Sequence, residues 1–215
     1  MHYKNIISFS LWGDIPKYTI GAIRNAELAK TIYPGFVCRF YVNDTVPSPI
    51  VQSLSELGSE IYIESDYSDW RSMFWRFQAA HDDDVNIVLF RDTDSRLNLR
   101  EKYAVEEWIV SNKTFHIMRD HPYHGYHILG GMWGYRFNPK YNIKKMLDNF
   151  IPNNHYGTDY VFFRDVLYPI IGDDKVTHDE FFEKKPFPTA RVNREFVGEV
   201  YDEHDQRHPE HYLYI

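Results

Sequence analysis

Two patterns of apolar residues alternate along the first ninety residues of the chain. Short, nearly continuous apolar runs, which are typical of buried strands, are separated by stretches in which apolar residues recur at helical spacing. The runs predict strands at residues 5–11, "FVCRFYVND", "EIYIE" and "VNIVLFR", and the spacing predicts helices at 17–33, at "SPIVQSLSELG" and from about Asp69. This alternation predicts an α/β fold with a mixed, mostly parallel central sheet flanked by helices on both faces.

The pattern changes after Asp94. "TFHIMR" and "MWGYRF" predict two more strands, and residues 138–150 and 158–167 predict helices, whereas the last 45 residues or so are Pro-rich, charged and irregular. The second helix carries clear end signals, with Ser48 as its N-cap, Pro49 at its first position and Gly58 just past its end. No linker divides the chain, so residues 1–215 are expected to form a single domain.

Composition excludes some classes of protein. The net charge of −7 argues against a nucleic-acid binder, which needs a basic face. No apolar stretch approaches the roughly 20 residues that span a bilayer, and the single cysteine favours a reducing, cytoplasmic location. The ending "HPEHYLYI" fits one domain of a longer protein as well as a complete chain.

Two aspartates follow the fourth predicted strand, in "VLFRDTDSRL". Because residues i and i+2 of a strand point to the same side, Asp92 and Asp94 are expected to present their carboxylates together. Open α/β sheets bind ligands at the carboxyl ends of their strands, and carboxylates suit Mn²⁺ or Mg²⁺. The alternative is a solvated loop in which the aspartates cap a turn.

The segment before this strand adds a resemblance. "FWRF", followed by an apolar strand and then D-x-D, resembles the nucleotide-binding half of GT-A glycosyltransferases, most of all the retaining families that include glycogenin and bacterial lipopolysaccharide galactosyltransferases. The resemblance implies that Asp92 and Asp94 bind Mn²⁺ or Mg²⁺ on the diphosphate of a UDP-sugar, with Thr93 between them in the donor site. It also implies that Arg76 faces the sugar-diphosphate.

The resemblance extends to both halves of the chain. It implies that residues 1–97 bind the nucleotide sugar and that residues 98–215 form the acceptor side. A closer resemblance is to the N-terminal glycosyltransferase domain of a multidomain chlorella-virus protein, which would place the chain in the host cytoplasm.

Further donor-site residues follow from the same resemblance. "ILGGMWGYR" is similar to the small-residue strand of the sugar pocket, which implies roles for Gly130 and Gly131. "YGTDYVFFRDVL" is similar to the helix start whose aspartate approaches the donor sugar; Asp159 aligns with it, and Tyr160 replaces the usual glutamine. The family's distal H-x-x-G-x-x-K motif is absent, and His204 is the candidate replacement as third metal ligand.

The nucleoside is expected at the ends of the first two strands. The resemblance implies that it contacts the first strand's end, at Ser8, Phe9, Ser10 and Leu11, and that Asp44 takes the ribose hydroxyls. The run "RDHPYHGYH" is either a zinc site or, because its spacing fits no regular zinc signature, a polar acceptor loop.

These features predict a metal-dependent glycosyltransferase of hexosyltransferase type. It would move a sugar from a UDP-sugar to a glycan or other hydroxyl acceptor, with retention. Arg76 would stabilise the leaving diphosphate, Asp159 would lie near the anomeric carbon, and Asp120 would be the base toward the acceptor hydroxyl. Arg71 or Arg91 is a candidate to assist Arg76, although strand alternation points Arg91 away from Asp92.

Two rival functions remain open. One is a metal-dependent phosphohydrolase or nuclease that uses Asp92 and Asp94, although "SFSLWG" supplies none of the further carboxylates that such sites usually recruit. The other is a non-catalytic nucleotide-sugar-binding module.

Overall fold

A seven-stranded sheet organises the chain, in the order β3-β2-β1-β4-β6-β5-β7. The structure is a computed structural model, and it describes residues 3–215. The strands are β1 (Lys4–Leu11), β2 (Phe36–Val42), β3 (Glu60–Ile63), β4 (Val85–Phe90), β5 (Phe115–Arg119), β6 (Trp133–Arg136) and β7 (Lys175–Asp179).

The helices connect these strands and follow them. They are α1 (Pro16–Ile32), α2 (Ser48–Glu56), a 3₁₀ segment (Trp70–His81), α3 (Leu99–Ser111), α4 (Ile143–Asp148), α5 (Thr158–Phe162), a π-helical turn (Phe163–Leu167), α6 (Tyr168–Ile171) and α7 (Pro209–Tyr212). None of the helices described for residues 3–215 combines the length and the apolar character that a bilayer crossing requires.

The strand directions confirm the predicted fold class. Strands β1 to β4 pair in parallel, as do β5 and β7, whereas β6 runs antiparallel to both β4 and β5. The carboxyl ends of β1 and β4 therefore lie side by side at one edge of the sheet, where α/β proteins bind ligands.

Alternation along β1 separates two cores on the two faces of the sheet. Ile6 packs with the 3₁₀ segment and with the aromatic side chains of β4, β5 and β6. Ile7, Phe9 and Leu11 pack on the other face against α1, α2 and α3. Both faces of β1 are therefore buried, and the hydroxyls of its two serines donate to backbone carbonyls of the 3₁₀ segment.

Several predicted boundaries differ from the structure. Helix α2 begins at Ser48 itself, with Pro47 at the capping position and no side-chain cap. The helix predicted at 138–150 is confined to α4, because the side chain of Asn142 caps it there by accepting from the Lys145 backbone N–H at 2.9 Å. The segment expected to be irregular contains β7, which pairs with β5.

Candidate active site

The main cleft lies at the carboxyl ends of β1 and β4 and has a volume of about 950 Å³. Its walls come from the β1–α1 loop, the 3₁₀ segment, the loop after β4, the loop before β6, the start of α5 and the segment near Phe196. Among the predicted site residues, the structure brings the following into this cleft: Ser10, Leu11, Arg76, Asp92, Thr93, Asp94, Gly130 and Asp159.

The D-x-D aspartates lie in a turn and not at the end of a strand. Strand β4 ends at Phe90, so strand alternation does not orient Asp92 and Asp94. Instead, the turn is held from behind by Asn25 of α1, whose side-chain amide donates to the backbone carbonyls of Thr93 and Ser95 at 3.3 and 2.8 Å. Both carboxylates still line the cleft.

Gly21 allows helix α1 to lie this close to the turn. A Cβ atom at Gly21 would be 2.1 Å from the carbonyl oxygen of Thr93, which is far inside van der Waals contact. Only glycine fits at this point of the helix, so a small residue in α1 helps to position the aspartate turn.

Arg76 joins the aspartate turn to the start of α5. Its guanidinium forms an ion pair with Asp92, donates to the Arg91 carbonyl at 3.1 Å and lies 3.7 Å from an Asp159 carboxylate oxygen. The Arg76 backbone is fixed to β1, because its N–H donates to the Ser10 hydroxyl at 3.0 Å. The arginine is only 4% exposed, so it is a fixed cation between two carboxylates.

Gly130 and Gly131 explain how these charged groups fit together. A Cβ atom at Gly130 would lie 2.1 Å from an Asp159 carboxylate oxygen, and one at Gly131 would lie 2.0 Å from an Asp92 carboxylate oxygen. The glycine pair therefore admits both carboxylates at close range. Gly130 lines the cleft as predicted, whereas Gly131 acts through its packing against Asp92.

Two carboxylates of the site are held in environments that disfavour their charge. Burial and the neighbouring charge of Asp92 raise the pKa of Asp94, and Lys17 opposes this rise. Burial raises the pKa of Asp159 to about 6, although the Arg76 guanidinium opposes that change. Perturbed carboxylates grouped in a cleft are a physical sign of a functional site.

The aspartate pair fits a divalent cation. Asp92 and Asp94 repel each other, and their oxygens are the donors that Mn²⁺ and Mg²⁺ prefer. The side chain of Asp92 is 48% exposed and therefore open to a ligand. The ammonium of Lys17 lies 3.3 Å from Asp94 and supplies part of the positive charge that the pair attracts.

The structure does not bring His204 to the aspartate pair. Its imidazole is 77% exposed, and its nearest carboxylate belongs to Glu203 at 3.9 Å. No three histidine, cysteine, aspartate or glutamate side chains within residues 3–215 form a group that could hold a metal ion. The predicted three-residue metal site is therefore not formed, because the turn of His204 directs its side chain to solvent.

The prediction of Asp120 as an acceptor base is wrong. Asp120 is completely buried and accepts hydrogen bonds from Arg100 at 2.7 and 2.9 Å and from the Val197 N–H at 2.9 Å. Arg191 forms a further ion pair with it. A carboxylate enclosed by two arginines cannot reach an acceptor hydroxyl, so Asp120 stabilises the packing of the last segment against α3.

We expect the Asp120→Asn variant to lose stability without losing ligand binding. The amide keeps the shape but weakens the bonds to Arg100 and Arg191, at a cost of about 2 kcal/mol in the free energy of unfolding. Urea denaturation measures this loss, and Asp83→Asn, at an exposed position, is the matched control. A variant of wild-type stability with greatly reduced turnover would restore Asp120 as a base.

Part of the predicted nucleoside site is also wrong. Ser8 and Phe9 are buried in the sheet and do not line the cleft, since the Ser8 hydroxyl donates to the Arg76 carbonyl at 2.7 Å. Asp44 is exposed outside the cleft. Strand β1 continues to Leu11, so the cleft begins only at Ser10.

The two assisting arginines have structural partners. Arg91 is buried, with its Nε 2.9 Å from Glu101, as strand alternation predicted. Arg71 donates to Asp69 at 2.9 Å and packs over the ring of Tyr67. Neither arginine lines the cleft.

The histidine run forms a wall of the cleft and no zinc site. His121 accepts from the Tyr123 N–H at 3.1 Å, and its other ring nitrogen lies 2.6 Å from the His211 carbonyl. Burial lowers the pKa of His124 to about 3, and its ring accepts from the Asp120 N–H. The ring of His127 stacks on Tyr168 instead. Backbone groups therefore occupy both ring nitrogens of His121 and one of His124, and His127 is stacked on a different side chain.

Sequence reasoning missed Lys17 and the aromatic pair of Trp70 and Tyr156. Lys17 was treated only as the start of α1, and no local motif connects it with Asp94, 77 positions away. Tyr156 belongs to "YGTDYVFFRDVL", a segment whose resemblance concerns its aspartate and not its first tyrosine. The high aromatic share of 17% was the available signal for a ring-lined cleft.

Comparisons with known proteins identify the fold. No protein-family model matches the chain, and no curated protein matches it in sequence. Among solved structures, the chain is similar to a glycosyltransferase involved in the glycosylation of the major capsid of PBCV-1, at 21% identity over 82% of each chain, with a TM-score of 0.46.

A second similarity has the higher TM-score. Glucosyl-3-phosphoglycerate synthase from Mycobacterium tuberculosis in complex with UDP matches at 13% identity, with a TM-score of 0.52 over 90% of this chain and 73% of that one. The same enzyme with Mn²⁺, UDP-glucose and phosphoglyceric acid matches at 13% identity, with a TM-score of 0.50 over 81% and 69%.

The similarity establishes the fold. Together with the sheet order and the position of the cleft, it confirms the predicted GT-A type of α/β fold. At such low identity the similarity concerns the fold alone, so the activity has to be argued from the cleft itself.

Proposed function

We propose that this chain is a metal-dependent glycosyltransferase of hexosyltransferase type, which transfers a sugar from a UDP-sugar to a hydroxyl acceptor with retention. The observation that carries the proposal is the arrangement of Asp92, Asp94, Arg76 and Asp159 around one cleft at the carboxyl ends of β1 and β4. The fold's similarity to a synthase solved with UDP-glucose and Mn²⁺ supports the choice of donor.

The chemistry requires charge stabilisation at both ends of the bond that breaks. The sugar becomes oxocarbenium-like while the nucleoside diphosphate departs with negative charge. A divalent cation bound by Asp92 and Asp94, completed by water and phosphate oxygens, would act as a Lewis acid toward that leaving group. Asp92 and Asp94 would supply the protein oxygens of this site, and the donor diphosphate would supply the substrate oxygens.

Arg76 provides a second positive charge for the diphosphate. It is buried and fixed to β1, so it needs little reorganisation when charge develops on the leaving oxygen. Because Asp92 and Asp159 already surround it, its guanidinium lies between the phosphate side and the sugar side of the proposed donor.

Asp159 provides the negative charge for the anomeric side. It lies in the first turn of α5, with Gly157 at the capping position, so its carboxylate is directed to the cleft and does not cap the helix. A carboxylate beside C1 stabilises a developing positive charge. Retention follows from the resemblance of the Asp159 segment to retaining families, and proton NMR of the product's anomeric signal tests it.

The division of labour between the two halves is part of the same proposal. Residues 1–97 would bind the nucleotide and the metal through the β1 end and the D-x-D turn. Residues 98–215, with Gly130 and Asp159, would enclose the sugar and admit the acceptor, so both halves act as one domain around a shared cleft.

A thermal-shift panel tests the proposed function. We expect UDP with Mn²⁺ to raise the melting temperature by about 5 °C at a hundredfold excess over Kd, and UDP alone to have little effect. In the double variant Asp92→Asn, Asp94→Asn this shift should disappear, because the amides no longer attract the cation. Asp83→Asn together with Asp84→Asn is the matched control on an exposed loop.

The same panel, together with an assay of phosphate release, separates the rival functions. A phosphohydrolase would release phosphate from UDP in the presence of the metal, whereas a binding module would respond to UDP-sugars equally without it. No response to UDP with any divalent cation would contradict the proposed glycosyltransferase.

A further inference from the structure

Two aromatic side chains form an exposed surface at the mouth of the cleft, which we call the aromatic platform: Trp70 and Tyr156. Their ring centroids lie 5.2 Å apart with the rings nearly perpendicular, and Trp70 contacts Trp12 in the same way at 6.2 Å. Trp70 is 38% exposed and Tyr156 is 70% exposed.

The platform is held in place although it is exposed. The backbone N–H of Trp70 donates to the side-chain oxygen of Asn154 at 3.3 Å. This bond connects the 3₁₀ segment to the loop before α5. Tyr156 is held by its perpendicular contact with the Trp70 ring, and the ring of Tyr160, which also lines the cleft, stacks on Tyr126 with centroids 4.1 Å apart. Large rings that are fixed yet open to solvent offer flat apolar faces to a ligand.

The location of the platform separates it from the donor site. Tyr156 comes three positions before Asp159 and lines the same cleft, but Asp159 and Arg76 are each 4% exposed and lie deep in it. If the donor sugar occupies the deep end, as the proposed function requires, the acceptor has to approach over the exposed rings.

The charges of the cleft restrict what this acceptor can be. The described residues that line it include five aspartates and one arginine, and that arginine is already paired with Asp92. Two cations at its border, Lys17 and Arg71, are paired with Asp94 and Asp69. The aspartates that line the cleft are Asp14, Asp69, Asp92, Asp94 and Asp159.

Two of the three histidines that line the cleft do not supply the missing positive charge. Burial lowers the pKa of both His121 and His124, so they are neutral at physiological pH. An anionic acceptor would therefore enter a field of like charge, to which the donor diphosphate adds. The similar mycobacterial synthase was solved with the anion phosphoglyceric acid. The described residues that line this cleft include no unpaired lysine or arginine to bind such an anion.

We propose that the platform of Trp70 and Tyr156 binds a neutral saccharide as the acceptor, and that the acidic cleft rejects phosphorylated and carboxylated acceptors. A pyranose or furanose ring presents an apolar C–H face to an aromatic ring and hydroxyls to the surrounding aspartates. This inference rests on the proposed function, because it takes the donor to occupy the deep end of the cleft.

Saturation-transfer NMR tests this proposal on the complete chain with UDP and Mg²⁺ present. The probes are methyl glycosides of the common neutral hexoses, pentoses and 6-deoxyhexoses, with 3-phosphoglycerate and methyl glucuronide as anionic counterparts. We expect at least one neutral glycoside to receive saturation and the two anions to receive none. Saturation of either anion would overturn the proposal, and so would the absence of saturation in every neutral glycoside.

Variants connect that binding to the platform. Trp70→Ala and Tyr156→Ala should each weaken glycoside binding about fivefold, whereas Tyr156→Phe keeps the ring and should retain it. Tyr103→Ala is the control, since Tyr103 is 41% exposed on α3, outside the cleft. Equal binding by the alanine variants and the Tyr103 control would overturn the platform as the binding surface.

The thermal response to UDP with metal distinguishes the two proposals. The platform variants should keep the wild-type response, because Trp70 and Tyr156 take no part in the aspartate pair. If UDP with metal did not raise the melting temperature of the wild-type chain, the proposed function would be contradicted. A normal rise in melting temperature without glycoside binding would contradict the acceptor proposal alone.

Discussion

Replacing Arg76 with methionine is expected to reduce sugar transfer about 100- to 1000-fold, the usual effect of removing a fixed charge that stabilises a leaving group. Methionine retains an apolar stem of similar length but cannot compensate the charge on the departing diphosphate. The rate is measured as UDP release, with water or a glycoside as acceptor. The donor is the UDP-sugar that reacts fastest among a panel of UDP-sugars.

A second readout separates this role from a structural one. Arg76 opposes the rise in the pKa of Asp159, so its removal should raise that pKa above its present value of about 6. The acidic limb of the profile of kcat/KM against pH should therefore move to higher pH in Arg76→Met. A variant that is merely less stable would lose activity without moving this limb.

Arg76→Lys is the matched control. Lysine keeps the positive charge but loses the planar fork that reaches Asp92, Asp159 and the Arg91 carbonyl together. We expect it to recover part of the rate and to return the acidic limb toward its wild-type position. Turnover of Arg76→Met equal to that of the wild type would remove Arg76 from the proposed mechanism and leave the metal site untouched.

The donor side of the site was the part that local sequence could predict. The D-x-D turn is predicted from its place directly after an apolar strand, whereas Arg76 and Asp159 are predicted only from the resemblance of "FWRF" and "YGTDYVFFRDVL" to GT-A glycosyltransferases. Because parallel strands carry their carboxyl ends to one edge, residues that follow successive strands are brought together. The structure places the D-x-D turn beside the end of β1 as that argument requires, and it brings Arg76 and Asp159 to the same cleft through the 3₁₀ segment and the start of α5, which strand order does not predict.

The errors arose where the environment of a residue depends on distant parts of the chain. Asp120 was assigned as a base from its neighbours in sequence, but its partners Arg100 and Arg191 are 20 and 71 positions away. His204 is predicted as a metal ligand only because it could replace the family's absent distal histidine motif, and a local turn directs it to solvent. Burial and pairing of this kind cannot be seen in a local motif.

Secondary structure shows the same limit. Apolar spacing predicted a helix from Asp69, and the structure forms a 3₁₀ segment capped by that aspartate. The apolar stripe is similar for the two helix types, so the period does not distinguish them. This segment places the side chain of Arg76 in the cleft and its backbone beside Ser10.

Replacing Asp159 with asparagine should affect activity and stability in opposite directions. We expect sugar transfer to fall about 100-fold or more, because the amide cannot stabilise positive charge at the anomeric carbon. In the wild-type enzyme the same requirement predicts that kcat/KM declines as the pH falls through about 6, where Asp159 takes up a proton.

Folding favours the form of Asp159 that the proposed chemistry does not use. Its pKa in the folded chain, about 6, is above the ordinary value of 3.8, so the folded state holds the proton more tightly than the unfolded chain does. The contribution of this proton to the free energy of unfolding is fully present below about pH 4 and is lost as the pH rises to about 6. Above that pH, the ionised carboxylate costs roughly 3 kcal/mol in the free energy of unfolding.

Asp159→Asn carries no such charge, so it should be more stable than the wild type above pH 6 by about that amount and nearly equal to it at pH 4. Urea denaturation at pH 4, 6 and 8 measures the difference, and Asp83→Asn, with an exposed carboxylate, should show no such trend. The opposite trend would be a variant whose free energy of unfolding, compared with that of the wild type, is lower at pH 8 than at pH 4. In that case Asp159 would be a stabilising partner of Arg76. A carboxylate kept ionised against the preference of the fold is instead what an active site requires.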